Sequence, residues 1–270
     1  MLRAYATPPS AFDRAAGYFK QILAIAETDV RKLRHDPWEL FTRMVQPMLW
    51  LLIFGEVFTR THAIPTGSLS YLDFITPGIL AQSVLFVAIF YGVSVIWERD
   101  LGILHKLLVS PAPRSALVLG RALSSGVRGL SQGVVVYAIA ATLGVELNFS
   151  VGSVAGIIVA VMLGAATFST FSLIAACIVK TRERFMGIGQ VLTMPLFFAS
   201  NAIYPIDMMP AWLRHVATVN PLSYEVDALR ALMINGGVSL FGLAADFAVL
   251  ALALAILTAI ATRLYPTLVR

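Results

Sequence analysis

The chain has 270 residues, of which 58% are hydrophobic and 13% charged, and its mean hydropathy is +0.81. A soluble domain carries about a quarter charged residues, so this composition excludes an ordinary soluble protein and indicates a membrane protein. The net charge of +5 is better explained by membrane topology than by nucleic-acid binding, and a single cysteine, Cys177, excludes an intrachain disulfide.

The N-terminal region, residues 1–39, contains no run apolar enough for a span or a cleavable signal. Within residues 14–36, however, apolar side chains recur at helical spacing and basic side chains occupy the rest of the wheel. The apolar positions are Phe19, Ile22, Leu23, Ala26, Val30 and Leu33. The pattern favours a basic amphipathic helix that lies along the inner leaflet, in contact with membrane lipid, over a solvated tail.

Six later segments are apolar enough for transmembrane helices, each of which needs about 20 residues because lipid leaves the backbone unsatisfied. The segments are 40–58, 72–97, a third that begins near Ser115 and is strongly apolar from Gly129 to Val145, then 151–179, 185–206 and 241–265. The sequence therefore predicts an all-α integral membrane protein whose six-helix membrane domain covers residues 40–270.

The basic residues predict the orientation. Seventeen of the 20 lysines and arginines fall on one predicted side: seven up to Arg43, five from Arg99 to Arg128, three in the 179–185 turn and two at the C-terminus. Only Arg60, Arg214 and Arg230 lie in the alternate loops. Because positively charged loops stay in the cytoplasm, we expect a multi-pass protein of the plasma or inner membrane with both termini inside.

The sequence offers no convincing catalytic or nucleotide site. The histidines fall on both predicted sides of the membrane, which argues against a zinc site. "GLSQG" at Gly129–Gly133 matches the nucleophile motif G-x-S-x-G, but it opens an apolar helix instead of a strand-to-helix turn. Gly129 and Gly133 also form GxxxG, as do Gly152 and Gly156, so helix packing is the better interpretation. No glycine is followed by lysine, which excludes a P-loop for ATP on this chain.

Four of the charged residues within the predicted spans are functional candidates, because charge is costly there. Glu56 and Asp246 lie toward the outer ends of their spans. Each has either a structural role at the membrane interface or a role in lining a substrate route, and the sequence favours neither. Arg121 and Arg128 share a face near the inner end of the third span, where we expect them to reach lipid phosphates.

Three stretches resemble the membrane subunit of ATP-binding-cassette exporters of the ABC-2 type. They are "YLDFITPGILAQSVLF" (Tyr71–Phe86), "ERDLGILHKLLVSPAPRSALVLGR" (Glu98–Arg121), and "NPLSYEVDALRALM" (Asn220–Met233) preceded by "NAIYPIDMMPAWL" (Asn201–Leu213). The drug-exporting, daunorubicin-resistance-like branch is the most similar. With the layout of spans, the resemblance covers most of the chain.

The resemblance implies a cytoplasmic coupling loop at residues 98–113, whose short helix docks into a cleft of a partner ATPase. Glu98, Arg99 and Asp100 would supply polarity at its N-terminus. Leu101, Leu104 and Leu108 would form an apolar ridge, with Lys106 beside it. Pro111 and Pro113 would end the helix. The alternative is that these charges only flank a span.

The resemblance also implies an extracellular re-entrant hairpin at residues 204–238 that caps the outer end of the pathway. Its candidate gate residues are Tyr204, Pro205, Asn220, Pro221, Tyr224, Asp227 and Arg230. Asn220 is expected to cap a helix that begins at Pro221. Asp227 and Arg230 are three residues apart and are expected to pair.

Together these observations predict a permease subunit, itself not an enzyme, that exports an amphiphilic drug-like or lipid-linked substrate as a dimer with a second copy or a sister permease. ATP and Mg²⁺ would bind the separate ATPase subunit, and this chain would hold no cofactor or metal. The candidate pathway residues are Met44, Met48, Phe54, Phe86, Phe90, Met194, Phe197 and Phe198. The alternatives are a polysaccharide or lipid-glycan exporter, an ion-coupled secondary transporter, a membrane enzyme and a non-transporting scaffold.

Overall fold

The computed structural model describes residues 11–34, 45–61, 64–67, 69–103, 113–179 and 181–269. Over these ranges the chain is helical, and its strand-type pairing is limited to one isolated bridge between Leu147 and Ile234. The helices are α1 (Ala11–Arg34), α2 (45–61), α3 (Tyr71–Asp100), α4 (Arg114–Thr142), α5 (Val151–Ile178), α6 (Arg182–Phe198), α7 (Ala211–Val219), α8 (Pro221–Met233) and α9 (Leu243–Leu264). Short 3₁₀ turns cover Ile206–Met208 and Tyr265–Val269.

Among the described residues, three helical segments are long and apolar enough to cross a membrane. They are α3, α5 and α9 with its following turn, Leu243–Leu268. Helix α4 is 29 residues long but carries three arginines, and α6 has only 17 residues. The fifth predicted span was expected to continue to residue 206, which is wrong, because α6 ends at Phe198. The protein is thus an all-helical membrane protein.

Helices α3 and α5 form the centre of the fold. They pack on each other, and α4, α8 and α9 surround α5, while α2, α6 and α8 contact α3. Their most apolar stretches are two-thirds buried, whereas the corresponding stretch of α9 is 11% buried. Helix α9 therefore lies at the periphery, where its exposed Leu252, Ile256 and Ile260 suit contact with lipid.

Small residues allow α4 and α5 to approach closely. A methyl group on Gly129 would lie 3.2 Å from Val161, and one on Gly126 would lie 2.6 Å from the sulfur of Met162. Gly156 likewise lets Leu232 of α8 pack closely against α5. By contrast, nothing lies within 4 Å of a methyl group on Gly133 or Gly152. The packing interpretation of the two GxxxG motifs is therefore confirmed for one glycine in each.

Polar caps set where the central helices begin. Ser70, Ser150 and Thr181 accept hydrogen bonds from the N–H groups of the first turns of α3, α5 and α6. Each hydroxyl satisfies a donor that has no partner within its own helix. Ser150 directly precedes an apolar run, so the start of α5 matches the predicted boundary at residue 151.

Helix α1 confirms the predicted amphipathic helix and packs along α4. Ile22 and Ala26 are buried, Gly120 of α4 admits Ile25, and Tyr18 donates a hydrogen bond to Ser115 at 3.0 Å. Part of the apolar stripe thus contacts protein. Phe19 and Leu23 remain 63% and 58% exposed, which leaves a second apolar strip free for lipid or a partner.

Candidate functional site

The residues proposed to start the coupling helix lie in a different element. Glu98, Arg99 and Asp100 form the last turn of α3, so their assignment to the N-terminus of a new helix is wrong. Gly102 has a φ of +70°, the left-handed conformation that ends a helix, and its N–H donates to the carbonyl of Arg99 at 2.9 Å. Helical structure resumes at Ile103.

Apolar side chains are exposed directly after this helix end. Leu101 is 67% and Ile103 42% exposed. The remaining predicted ridge residues, Leu104 and Leu108, and the neighbouring Lys106 lie outside the described residues. The described part of the ridge is therefore available to a partner, as an apolar knob requires.

A buried ion pair joins α3 to α4 beside this knob. The guanidinium of Arg121 donates to the carboxylate of Glu98, with only 7% and 13% of the two side chains exposed. Our expectation that Arg121 reaches lipid phosphates is wrong, because it turns inward to a protein carboxylate. The pair bridges the two helices that flank the 98–113 loop.

A second, more exposed ion pair joins α3 to α6. Asp100 accepts hydrogen bonds from Arg99 at 3.0 Å and from Arg182 at 2.9 Å. The Arg182 guanidinium also lies 3.7 Å from the ring centroid of Trp97, a cation–π contact. The predicted inner ends of α3, α4 and α6 are thus joined by these two ion pairs.

The predicted pathway residues divide between exposed faces and the core. Met48 and Phe54 of α2 and Phe198 of α6 are 39–44% exposed. Phe197 is fully buried against Trp50 with ring centroids 5.8 Å apart, so it holds α2 against α6. Met44 lies outside the described residues.

The other pathway residues are half-buried. Phe86 and Phe90 stack on each other along α3, and Met194 lies on α6. Two nearby open cavities are lined mainly by apolar side chains, with Gln46 in the first and His215 and Asn220 in the second. One of ≈ 460 Å³ follows α2 from Val45 to Phe54, and one of ≈ 630 Å³ lies between α6 and the α7–α8 junction. These faces can accept large apolar groups.

The predicted outer segment consists of a 3₁₀ turn that follows Pro205 and then α7 and α8. The hydroxyl of Tyr204 donates to the carbonyl of Phe198, and that of Tyr224 to the carbonyl of Thr218. Both tyrosines therefore stabilise local turns, which is a structural role.

Asp227 and Arg230 bind separate partners instead of pairing. Arg230 donates to the carbonyls of Phe74 and Asn201, the latter at 2.7 Å, and its guanidinium lies 3.9 Å from the centroid of the Phe74 ring. Asp227 accepts from Ser239 and from the backbone N–H of Phe241. The expected pair is wrong because each group finds a closer tertiary partner.

Asn220 begins α8, as predicted, and also anchors it. Its side-chain oxygen accepts from Leu222 N–H at 3.0 Å, and its amide nitrogen donates to the carbonyls of Leu196 and Ala199 at 2.7 and 2.8 Å. Asn220 therefore fastens the start of α8 to the end of α6.

Replacing Asn220 with alanine is expected to destabilise the protein by about 3 kcal/mol, since it removes one cap and two buried hydrogen bonds at about 1 kcal/mol each. Ser150→Ala removes only a cap and is expected to cost about 1 kcal/mol. Thermal unfolding in detergent measures both. An Asn220→Ser variant retains the cap and is expected to lie between them; equal effects of Asn220→Ala and Ser150→Ala would disprove the anchoring role.

Two functional candidates were missed by the sequence analysis. Glu225 is fully buried against Gly164 of α5, and neither carboxylate oxygen has a hydrogen-bond partner among the described residues. Burial raises the pKa of the Glu225 carboxyl well above its usual range. Ser239 bridges Asp227 and Asp246. The sequence pattern around Glu225 and Ser239 could not reveal that the first is buried without a partner or that the second lies between two carboxylates, because both depend on contacts between distant segments.

The structure also tests the remaining chemical candidates. Ser131 of "GLSQG" lies inside α4 and donates to the carbonyl of Arg128, so the motif is not a nucleophile turn. Glu56 forms an exposed i,i+4 ion pair with Arg60 at 2.8 Å. In the part of the chain that the structure describes, no three His, Cys, Asp or Glu side chains gather as a metal site.

Comparison with known proteins places these features in a family. The model of the ABC-2 type transporter family matches residues 20–234, which include the α3–α4 loop and α8. The putative transport permease ycf38 of Cyanophora paradoxa is 27% identical over 80% of this chain and 74% of its own.

Two further relatives carry more specific names. The daunorubicin resistance ABC transporter permease protein DrrB1 of Streptomyces coeruleorubidus is 27% identical over 74% of this chain and 70% of its own. The probable multidrug ABC transporter permease YbhR of Escherichia coli K12 is 27% identical over 62% of this chain and 45% of its own.

Proposed function

This chain belongs to the ABC-2 type transporter family and is a membrane permease subunit of an ABC transporter, and from that premise we propose that it exports a small amphiphilic or lipid-linked compound from the cell. ATP binding and hydrolysis, with Mg²⁺, take place on a separate ATPase subunit. The lack of a P-loop sequence on this chain supports that division.

The observation that carries the proposal is the exposed apolar pair Leu101 and Ile103, which follows a helix end fixed by Gly102 and by the Glu98–Arg121 ion pair. A rigidly placed apolar knob suits docking into a groove of the ATPase. Movement of the ATPase would then pass through the knob into α3 and α4. Helix α1, packed on α4, would move with them.

An apolar route suits an amphiphilic substrate. The exposed apolar faces of α2 and α6 carry Met48, Phe54 and Phe198, and a second copy or sister permease placed against these faces would enclose the route. The names of DrrB1 and YbhR refer to drug resistance and multidrug transport, which supports a drug-like substrate for this chain.

The proposed topology has six spans in residues 40–270, a cytoplasmic region at 1–39 and both termini inside the plasma or inner membrane. The distribution of basic residues supports this orientation. Helices α7 and α8 form the re-entrant segment at the outer end, where the anchoring of Asn220 to α6 suits a gate.

Two other functions deserve comparison. A polysaccharide or lipid-glycan exporter of the same family would need polar groups along its route, whereas the cavities beside α2 and α6 are apolar. An ion-coupled transporter needs a coupling carboxylate on the route. Glu56 is held in a surface ion pair, and Asp246 is buried and bonded to Ser239 between α8 and α9, whereas the proposed route follows α2 and α6. We therefore favour ATP-driven export of an amphiphile.

The test is to extract the tagged chain gently from its own membranes, identify the proteins that co-purify, and assay ATP hydrolysis. We expect a P-loop ATPase in about equal amount. If none appears under several detergents and none is encoded beside this gene, the ATP-driven proposal fails.

Leu101→Asp is expected to abolish co-purification of the ATPase, because a charge placed in an apolar groove weakens binding by about 2 kcal/mol or more. This corresponds to about a 30-fold weaker interaction. Val238→Asp is the control, since Val238 is also exposed (77%) but lies in the predicted outer segment. Equal retention of the ATPase by both variants would show that Leu101 is not part of the docking surface.

A further inference from the structure

Ser239 lies between two buried carboxylates. Its hydroxyl oxygen is 2.9 Å from Oδ2 of Asp227 on α8 and 2.8 Å from Oδ2 of Asp246 on α9. The backbone N–H of Gly242 donates to the same hydroxyl oxygen at 2.7 Å. Asp227 is 1% exposed and Asp246 fully buried.

Counting hydrogens shows that this group holds an additional proton. A serine hydroxyl has one hydrogen to donate and can accept two. It can therefore satisfy only one of the two carboxylates. The other short oxygen–oxygen contact needs a hydrogen from a protonated carboxyl, because two acceptors facing each other at 2.8 Å repel. The geometry is therefore satisfied when one aspartic acid is neutral.

Surroundings identify Asp246 as the neutral acid. Asp227 Oδ2 already accepts the Phe241 N–H at 3.0 Å as well as the serine hydroxyl, which suits a carboxylate. The second oxygen of Asp246, Oδ1, is buried and has no hydrogen-bond partner among the described residues. A charge there would be unsolvated. With Asp246 protonated, Ser239 accepts from Asp246 and Gly242 and donates to Asp227, so all its bonding capacity is used.

A cavity lies beside this group. Asp227 lines a cavity of ≈ 270 Å³ in the predicted outer part of the protein, together with Asp207, Arg230 and Asn201. The side-chain oxygen of Asn201 is itself buried without a hydrogen-bond partner in the described structure, so the cavity contains polar atoms that water can satisfy. Asp246 lies behind Ser239 and does not line the cavity.

Among the other ionisable groups on the packed helices, Arg230 of α8 interacts electrostatically with Asp227 and lines the same cavity, which favours a charged Asp227, although its hydrogen bonds go to Phe74 and Asn201. Glu225 turns to Gly164 of α5, and the Tyr224 hydroxyl donates to the carbonyl of Thr218. In α5 the ionisable side chain is Cys177, and in α9 besides Asp246 it is Arg263, each near the opposite end of its helix. The remaining ionisable residues of the neighbouring α4 are Arg114, Arg121, Arg128 and Tyr137, the last lining a different cavity.

We propose that Asp246, Ser239 and Asp227 form a buried proton-binding site that exchanges its proton with the outer cavity and holds α8 against α9. The Asp246 proton passes to Ser239 as the Ser239 hydroxyl hydrogen passes to Asp227, which then releases a proton to cavity water. The site binds one proton while α8 rests on α9. Loss of that proton leaves two adjacent carboxylates, which separates the helices. This role does not depend on the identity of the exported compound.

Stability is therefore expected to fall as the pH rises, because the folded contact holds a proton that the unfolded chain has already lost. Thermal unfolding of the full chain in lipid nanodiscs should show this fall. Asp246→Asn mimics the protonated acid, since its amide donates to Ser239, and should remove this pH-dependent component at near-wild-type stability. Asp246→Ala should be unstable at every pH.

Two variants separate the partners. Asp227→Asn removes the neighbouring negative charge that disfavours ionisation of Asp246, so Asp246 should lose its proton at lower pH and, without repulsion between two carboxylates, with a smaller loss of stability. Asp207→Asn changes an exposed acid on the same cavity and should leave the pH profile unchanged. Infrared spectra of the wild type should contain a protonated-carboxyl band that is absent from Asp246→Asn.

Three results would overturn the proposal. One is a wild-type infrared spectrum from which Asp246→Asn removes no band. Another is an Asp246→Asn variant as unstable as Asp246→Ala. The third is stability that depends on the concentration of sodium or calcium but not on pH, which would identify a bound metal cation in place of the proton.

Discussion

Gly78→Ala is expected to prevent stable folding of this permease, the largest effect among the glycine substitutions considered. A methyl group on Gly78 of α3 would lie within 2.8 Å of the backbone of Ala202, in the turn after α6. Backbone cannot rotate away as a side chain can. The turn is also fixed, because the carbonyl of Asn201 accepts from Arg230 and Ala202 N–H donates to Ser200. We expect a loss of about 3 kcal/mol, at the upper end of the overpacking range.

The matched control is Gly133→Ala. Gly133 lies within α4, and nothing lies within 4 Å of the methyl group that the substitution adds. Alanine has the higher helix propensity, so stability should be unchanged or rise by up to about 1 kcal/mol. The measurement is the monodisperse yield and melting temperature of the two fluorescent fusions after detergent extraction. Similar yields would mean that α3 and the 199–202 turn are not in close contact in the membrane.

The helix boundaries that were predicted well are those determined by local sequence. Ser150 both precedes the apolar run and caps α5, so the start of α5 follows from residues next to one another in the chain. The end of α6 could not be predicted in this way. The apolar run continues past Phe198, but the side chain of Asn220 bonds the carbonyls of Leu196 and Ala199, which allows the chain to leave the helix.

The candidate site shows the same division between local and distant contacts. The exposure of Leu101 could be predicted locally, because the residue lies directly after a span and within a charged loop. The partner of Arg121 is 23 residues away at the end of another helix, so helical periodicity gave Arg121 the wrong environment. The proton-binding site joins Asp227, Ser239 and Asp246 across three segments, and only the folded chain brings them together.

Arg121→Ala is expected to cost about 3–5 kcal/mol, because it breaks the buried ion pair by removing the guanidinium that donates to Glu98. The matched control is Arg31→Ala, which breaks the exposed ion pair with Glu27, where 73% and 62% of the side chains are in contact with solvent. That loss should stay within about 0.5 kcal/mol, because solvent screens exposed charges. Melting temperatures of the two variants in the same detergent give the comparison.

A double variant, Glu98→Leu with Arg121→Met, separates stability from coupling. Apolar residues of similar size often replace a buried ion pair without loss of stability, so the double variant should recover most of the melting temperature that Arg121→Ala loses. The charged pair, however, holds α3 and α4 in a fixed register beside the docking knob. If that register passes ATPase movement into the membrane helices, the double variant should bind the ATPase and hydrolyse ATP without export. Normal export by a stable double variant would assign the pair to structure alone and shift the transmission to the Asp100–Arg182 contact between α3 and α6.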